Sequence, residues 1–372
     1  MSAVYSANSA TVYGRRQALA IALALALGFG MICLVSHEPF HAFYTLLTGA
    51  MPQFSWSSDA GWRVYRLARF GAVIENAITL SLLGLAVLFG FRAKQFSMGA
   101  DGQFFLGALA AAYVSTQLSG WPLSGLFIAA SAAMLVGFCW GWIPGLLKAR
   151  FGANEIVTTL MLNVIAVQLY RLIITYGFND TSSGFIVTPT VPATLPTTSL
   201  MAHTNITLLF LLTPIASWVA WCVLERTTLG YEIRVVGDAP AFASQTGIPV
   251  QRVIALSMAM GGVFAGLAGL HVSHALLKRL PVDLTPGIGF EGLMIALLAR
   301  NDPKAVPFAA LMYSYLKVGA QAMEQASDVS RDMVLVIQSF IVLFVVSERL
   351  ISPTTLRWTT TRWRQLARRS AA

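Results

Sequence analysis

The sequence predicts an all-α membrane protein of about ten transmembrane helices, and two observations support that fold class. Hydrophobic residues make up 56% of the 372 residues and charged residues only 11%, whereas a soluble domain has roughly 25% charged residues. The hydrophobic residues are also gathered into long runs, and a helix needs about 20 such residues to cross the hydrocarbon core. Because a helix satisfies its own backbone hydrogen bonds in lipid, we expect helices to form the spans.

Ten segments are predicted to cross the membrane. They cover, approximately, residues 17–35, 71–91, 103–118, 123–143, 156–174, 205–224, 252–271, 287–299, 305–320 and 333–350. The eighth and ninth are short and are joined by a tight turn at residues 301–303, so each is either a span or a half-helix. The first is predicted to be a retained anchor because of its length, with a cleaved signal peptide as the alternative.

Basic residues indicate the orientation, because short loops rich in Lys and Arg stay in the cytoplasm. Most of the 25 Lys and Arg residues fall on the inner side if both termini are cytoplasmic. We therefore predict one membrane domain over residues 1–372, which divides into a cytoplasmic N-terminus (1–16), a membrane core (17–350), a cytoplasmic loop within it (225–251) and a basic cytoplasmic tail (351–372). The net charge of +9 predicts binding to anionic lipid, and no binding to nucleic acid is expected.

A polar, glycine-rich segment, FSMGADGQ, interrupts the apolar sequence at residues 96–103. Gly99 and Gly102 are expected to loosen or break a helix, and Asp101 and Gln103 bring polar side chains to the same place. Transporters use such breaks where the freed backbone lines a cavity. A simple interfacial turn between the second and third spans explains the segment equally well, and the spacing alone does not separate the two interpretations.

A second polar pattern, GANEIVTTLMLN, opens the fifth predicted span at residues 152–163. Glu155, Thr159 and Asn163 follow one another at i, i+4 steps, so they share one face of a helix. Polar residues inside a membrane usually face a partner or a pathway. A helix N-terminus capped by Asn154 explains Glu155 as well, but it does not explain Asn163. Further candidates, for a substrate contact or for a neutralised or snorkelling role, are Glu75, Asn76 and Glu291.

Glycines at small-xxx-small spacing predict close helix packing. They are Gly137 and Gly141 in the fourth span with Gly145 just after it, and Gly262, Gly266 and Gly269 in the seventh. His271 and His274 lie three residues apart without a further ligand at metal spacing, so no metal site is predicted. The sequence contains no Gly-x-x-x-x-Gly-Lys-Ser/Thr loop and no Gly-x-Ser-x-Gly, and no catalytic residue is predicted.

The inner loop at residues 225–251 has a composition of its own. Glycine and proline punctuate it at Gly230, Gly237, Pro240, Gly247 and Pro249. Such punctuation predicts a compact surface element with fixed turns. We expect this loop to contact another protein.

Four motifs resemble those of one protein family. The FSMGADGQ motif resembles the NIGxEGQ segment in permease subunits of ATP-binding-cassette (ABC) importers for branched-chain amino acids, simple sugars and nucleosides. GANEIVTTLMLN is similar to the branch that works with basic membrane lipoprotein receptors, and residues 227–269 and 289–303 resemble that family's cytoplasmic loop and eighth span. The resemblance runs from about residue 75 to residue 350. Ser97-Met98 stands where the family has Asn-Ile, and Asp101 stands where it has Glu.

The resemblance implies an importer subunit that forms the translocation path for a nucleoside or a simple sugar. The residues expected to border that path are Asp101, Gln103, Gly99, Gly102, Asn163, Thr159 and Glu291. The loop expected to receive the motion of the ATPase contains Gly230, Arg234, Gly237, Asp238, Pro240, Ala243 and Gly247. The second to fifth and the seventh to tenth spans are expected to form an inverted repeat.

The resemblance also implies partners and a location. The expected partners are an ABC ATP-binding subunit, a second homologous permease in a heterodimer, a lipoprotein or periplasmic solute-binding receptor, and the bilayer of a bacterial inner membrane. ATP and Mg are expected on the ATPase, with no cofactor on this chain. The alternatives are an ion-coupled secondary transporter, for which Glu75, Glu291 and Lys317 are the few titratable groups within spans, and an integral membrane enzyme.

Overall fold

A computed structural model describes most of the chain in two compact units. It covers residues 26–34, 36–57, 61–65, 67–182, 184–192, 194, 197–200, 204, 206–284, 286–329, 336 and 339–340, with backbone alone at 53–57, 61–65 and 122. One unit comprises Met51–Tyr315, and the other joins Met1–Ala50 to Leu316–Ala372. The predicted N-terminal segment, the basic tail and nearly all of the tenth span lie outside the described residues.

Helices make up nearly all the regular structure of the described residues. In chain order they are α1 (26–34), α2 (Pro39–Thr48), α3 (Leu67–Arg92), α4 (Ala100–Gln117), α5 (Pro122–Phe151), α6 (Glu155–Tyr176), α7 (Leu212–Arg226), α8 (Thr228–Asp238), α9 (Pro240–Gln245), α10 (Val250–His271), α11 (Ile288–Leu298) and α12 (Val306–Ala326). A short 3₁₀ turn, Leu208–Leu211, precedes α7, and a π-turn, Val272–Leu276, follows α10. An antiparallel hairpin of β1 (Gln53–Ser57) and β2 (Gly61–Tyr65) is a small addition to the predicted all-α class.

Five of the predicted spans coincide with described helices that are long and apolar enough to cross a membrane. These helices are Leu67–Arg92, Leu123–Phe151, Glu155–Tyr176, Leu208–Arg226 and Val250–Leu276. They correspond to the second, fourth, fifth, sixth and seventh predicted spans. With 11 residues, α11 is shorter than the roughly 20 residues that a full crossing needs, so it has the length of a half-helix. The chain is a multi-pass helical membrane protein.

The core of the larger unit is built around α10, whose glycines let neighbouring helices approach closely. A Cβ atom at Gly137 of α5 would collide with the carbonyl oxygen of Gly262, and one at Gly145 would lie 2.7 Å from the Cα of Ala255. On the α4 side, Gly269 lies against the backbone of Phe104 and Ala108. Close packing by small residues stabilises helix pairs in lipid, where the hydrophobic effect between helices is weak. The predicted role of these glycines is confirmed.

The smaller unit has its own apolar cluster. Leu46 of α2 packs with Leu316, Ala320 and Met323 of α12. After α12 ends, the Asp328 carboxylate accepts two hydrogen bonds from the segment between α1 and α2. The donors are the hydroxyl of Ser36 at 2.5 Å and the backbone N–H of His37 at 2.8 Å.

The segment 225–251 is largely helical, and two of its predicted turns are wrong. Gly230 and Gly237 lie within α8 and are buried. Gly230 fits against the carbonyls of Val223 and Leu224, and Gly237 against the carbonyl of Arg92. These two glycines are therefore explained by close backbone approach. The predicted turn at Gly247 is confirmed, because its φ of +84° is a conformation that favours glycine.

Candidate functional site

The polar segment 96–103 is the connection between α3 and α4 together with the first turn of α4. Gly99 is the residue before the helix, and Gly102 lies inside its first turn. The helix is therefore not broken at Gly102. Of the two interpretations left open by the sequence, a turn between two helices describes the backbone.

Asn163 of α6 holds this turn from the side. Its Nδ2 donates to the carbonyl of Met98 at 2.7 Å, and its Oδ1 accepts from the N–H of Gly102 at 2.9 Å. Thr159, one turn earlier on α6, accepts from the N–H of Met98 at 3.2 Å. The first N–H groups of a helix have no partner within the helix, so Asn163 satisfies one of them, and Thr159 fixes the turn that precedes α4; both side chains are buried.

Asp101 makes an equivalent contact to α11. Its Oδ1 accepts from the N–H of Gly289 at 2.6 Å, and a Cβ at Gly289 would lie 2.6 Å from the Asp101 nitrogen. A carboxylate at a helix N-terminus is favoured by the helix dipole. Glu291 lies in the same first turn of α11. The polar clamp is defined here as Asp101, Thr159 and Asn163, with the backbone groups that they bind.

Gln103 is buried and lies towards α5. Its Nε2 is 2.8 Å from the Cβ position of Gly141, and the indole nitrogen of Trp140 is 2.9 Å from the Cβ position of Gly102. That Trp140 nitrogen is buried and has no hydrogen-bond partner among the described residues. Gly102 and Gly141 therefore make room for large polar side chains, and this is their observed role.

A cavity of about 370 Å³ opens beside the clamp. Its lining residues on α6 form a helical stripe: Leu160, Asn163, Val164, Val167, Gln168 and Arg171. Asp101 and the start of α11, with Pro286, Gly287 and Phe290, line the rest. Of the seven residues expected to border a path, Asp101 and Asn163 line this cavity. Thr159, Gly99, Gly102, Gln103 and Glu291 are not among its lining residues.

Sequence reasoning missed three chemically important lining residues, Gln168, Arg171 and Phe290. One signal could have found Arg171, because the i, i+4 series through Thr159 and Asn163 continues to Val167 and Arg171 on the same side of α6. No comparable pattern in the sequence indicates Phe290 as a lining residue.

His271 and His274 are buried at the junction of α10 and the π-turn. The Nδ1 of His271 lies 3.0 Å from the hydroxyl of Thr79 on α3, and that of His274 lies 2.8 Å from the hydroxyl of Ser273. Within the described residues, no group of three or more His, Cys, Asp and Glu could hold a metal ion.

The segment 225–251 is attached to the end of α3 by charged side chains. Glu225 forms ion pairs with Arg234 and, at 3.5 Å, with Arg92. Asp238 pairs with Lys94 at 3.1 Å. Pro240 begins α9, and Ala243 on α9 is fully buried. Two aromatic side chains remain largely exposed, Tyr231 of α8 and Phe242 of α9.

The chain is a multi-pass helical membrane protein with a cavity beside a helix junction, and sequence comparisons give its family. Residues 70–346 match the family described as the permease component of branched-chain amino acid transport systems. The chain belongs to this family. No solved structure matches it.

Individual relatives are similar over most of their length. The guanosine ABC transporter permease protein NupP of Bacillus subtilis is 32% identical over 76% of this chain and 82% of its own. The glucose ABC transporter permease protein TsgB13 of Haloferax volcanii is 33% identical over 74% of this chain and 75% of its own. The nucleoside ABC transporter permease protein NupB of Lactococcus lactis is 27% identical over 76% and 80%.

Proposed function

We propose that this chain is the membrane-spanning permease subunit of an ATP-driven importer and forms the path for a nucleoside or a simple sugar. The observation that carries the proposal is the cavity at the polar clamp, in a chain of the permease family. Its relatives are named for guanosine, glucose and nucleosides. All of these solutes carry hydroxyl groups, which the carboxylate and amide groups at this cavity are able to bind.

Segment 225–251 is proposed to receive the motion of an ATP-binding subunit. The exposed Phe242 and Tyr231 provide aromatic contact area, and aromatic residues dominate binding energy at protein interfaces. Gly237 of α8 packs against the carbonyl of Arg92, and the exposed pair of Asp238 with Lys94 lies four residues before Met98. A displacement of α8 and α9 would therefore reach the polar clamp through a short stretch of backbone.

The remaining partners are proposed from the family. ATP and Mg would bind the ATPase, a second homologous permease would complete a heterodimer, and a lipoprotein or periplasmic receptor would deliver the solute. We place the complex in the bacterial cytoplasmic membrane, with both termini on the inner side. In this proposal Asp101 and Asn163 border the path, while Thr159, Gly99 and Gly102 hold its wall.

Uptake into proteoliposomes that contain the complete importer and enclosed ATP tests this function. We expect accumulation of labelled guanosine or glucose with ATP and none with a non-hydrolysable analogue. Accumulation that follows an ion gradient and ignores ATP would instead support a secondary transporter. Chemical conversion of the solute without accumulation would support an enzyme.

A variant pair tests the coupling segment in the same assay. Phe242→Ala should reduce uptake about 30-fold or more, because the loss of an interface anchor costs about 2 kcal/mol or more, while the amount of inserted protein stays the same. Phe185→Ala, which removes another exposed aromatic side chain outside the segment, is the control. Unchanged uptake by Phe242→Ala would argue against a coupling role for α9.

A further inference from the structure

The cavity at the polar clamp has different chemistry at its two ends. Asn163 and Asp101 lie at one end, and Gln168 and Arg171 lie further along α6. Eight residues separate Asn163 from Arg171, which corresponds to about 12 Å along the helix axis. Between them the α6 wall is apolar. The cavity therefore suits an elongated solute with polar groups at both ends and an apolar middle.

Phe290 supplies a flat surface to this cavity. It lies in the first turn of α11 and is 40% exposed. The valines at positions 164 and 167 belong to the α6 wall of the same cavity. Aromatic side chains stack on the face of a base in nucleic-acid complexes. A sugar has no aromatic face and does not stack in this way.

Arg171 brings a guanidinium group to the wall of the cavity. Its Nε has no hydrogen-bond partner among the described residues. Arginine has donors only, in a planar fork that binds two adjacent acceptors. The O6 and N7 atoms of a 6-oxopurine form such a pair, whereas adenine presents a donor at N6 beside N7.

We propose that this cavity selects nucleosides of 6-oxopurines, and that Arg171 is the residue that determines this preference by donating to O6 and N7. The base stacks on Phe290, Gln168 contacts its edge, and the ribose hydroxyls donate to Asp101. The bond from Gly289 uses one acceptor position of that carboxylate, which has about four. This inference rests on the proposed import function and assigns a solute class to the same site.

The test is a comparison of guanosine and adenosine uptake by the complete importer in proteoliposomes. The same receptor serves the wild type and each variant, so its own preference cancels when their guanosine-to-adenosine ratios are divided. Arg171→Ala should lower the ratio about 5- to 150-fold, the loss expected for one bidentate contact to a base. Arg171→Lys should lower it as well, because lysine keeps the charge but lacks the fork.

The control is Leu172→Ala, the next residue on α6, which is 56% exposed and is not a lining residue. Its ratio should match that of the wild type. If the wild type imports nucleosides and both Arg171 variants keep its ratio, the inference is wrong and the import function stands. Import of glucose without any nucleoside would also overturn it. If the complex imports neither class of solute, the proposed function itself fails.

Discussion

Two regions of the larger unit bring helices together by opposite means. At the glycine seam, formed by Gly137, Gly145, Gly262 and Gly269, backbones touch because side chains are missing. At the polar clamp, Asp101, Thr159 and Asn163 reach across to backbone groups and bind them. The seam contains nothing that can exchange one partner for another, whereas every contact of the clamp is a discrete hydrogen bond.

This difference separates a fixed scaffold from a region able to rearrange. Packed backbones resist gradual deformation, because interiors are as dense as organic crystals. Side-chain hydrogen bonds can be traded for bonds to water or to a solute, with a small net change in free energy. The cavity lies at the clamp, and the proposed coupling segment is attached only a few residues before it. The α10 seam would then be the support against which the clamp moves.

The largest loss of stability is expected when a side chain is added at the glycine seam. In Gly137→Ala the new methyl group would collide with the carbonyl of Gly262, and neither helix has a flexible side chain there that could give way. We expect the free energy of unfolding to fall by about 3 kcal/mol or more, measured as a lower unfolding midpoint of the purified complex in detergent. Gly120→Ala, which has no atom within 4 Å of its Cβ position, should leave the midpoint unchanged. Equal midpoints for the two variants would contradict the seam.

A smaller loss of stability is expected when a hydrogen-bonding side chain of the polar clamp is removed. Asn163→Leu keeps the size of the side chain but leaves the carbonyl of Met98 and the N–H of Gly102 without this partner. The expected cost is about 2 kcal/mol, and amide hydrogen exchange at Gly102 should become faster. Ile165→Leu, on the exposed side of α6, serves as the control. Uptake that falls while the midpoint and the exchange rate stay at wild-type values would show that Asn163 contacts solute instead of supporting α4.

The two regions also differ in how much of their structure could be predicted from the sequence. The seam was predictable, because spacing of four residues places glycines on one face and small size has one ordinary meaning in a membrane helix. The clamp residues were identified by their polarity, but their partners were not. Asn163 binds a backbone group 61 residues away and Asp101 one 188 residues away, and no local pattern encodes such a pairing. For the same reason, Gly230 and Gly237 were predicted to form turns, whereas they lie in α8 and make close tertiary contacts.

The smaller unit contains a weaker contact of the same kind. Its carboxylate belongs to Asp328, which is exposed and binds the segment between α1 and α2. In Asp328→Ala the amide of His37 should exchange about two- to fivefold faster, the scale of an exposed charged contact. Glu324→Ala, which removes an exposed carboxylate on α12, should leave that amide unchanged. No difference between the two variants would show that solvent replaces the contact without cost.

The acid dependence of this contact follows from the same geometry. The hydroxyl of Ser36, and after it the N–H of His37, hold the pKa of the Asp328 carboxyl below its usual range. A carboxyl with a lowered folded-state pKa contributes its full stability above the unfolded-state pKa and loses it as the pH falls through the lower, folded-state value. The exchange difference between wild type and Asp328→Ala should therefore persist through mildly acidic pH and vanish only below the usual range of a carboxyl group. A difference that disappears at higher pH would mean that the two hydrogen bonds do not stabilise the ionised form.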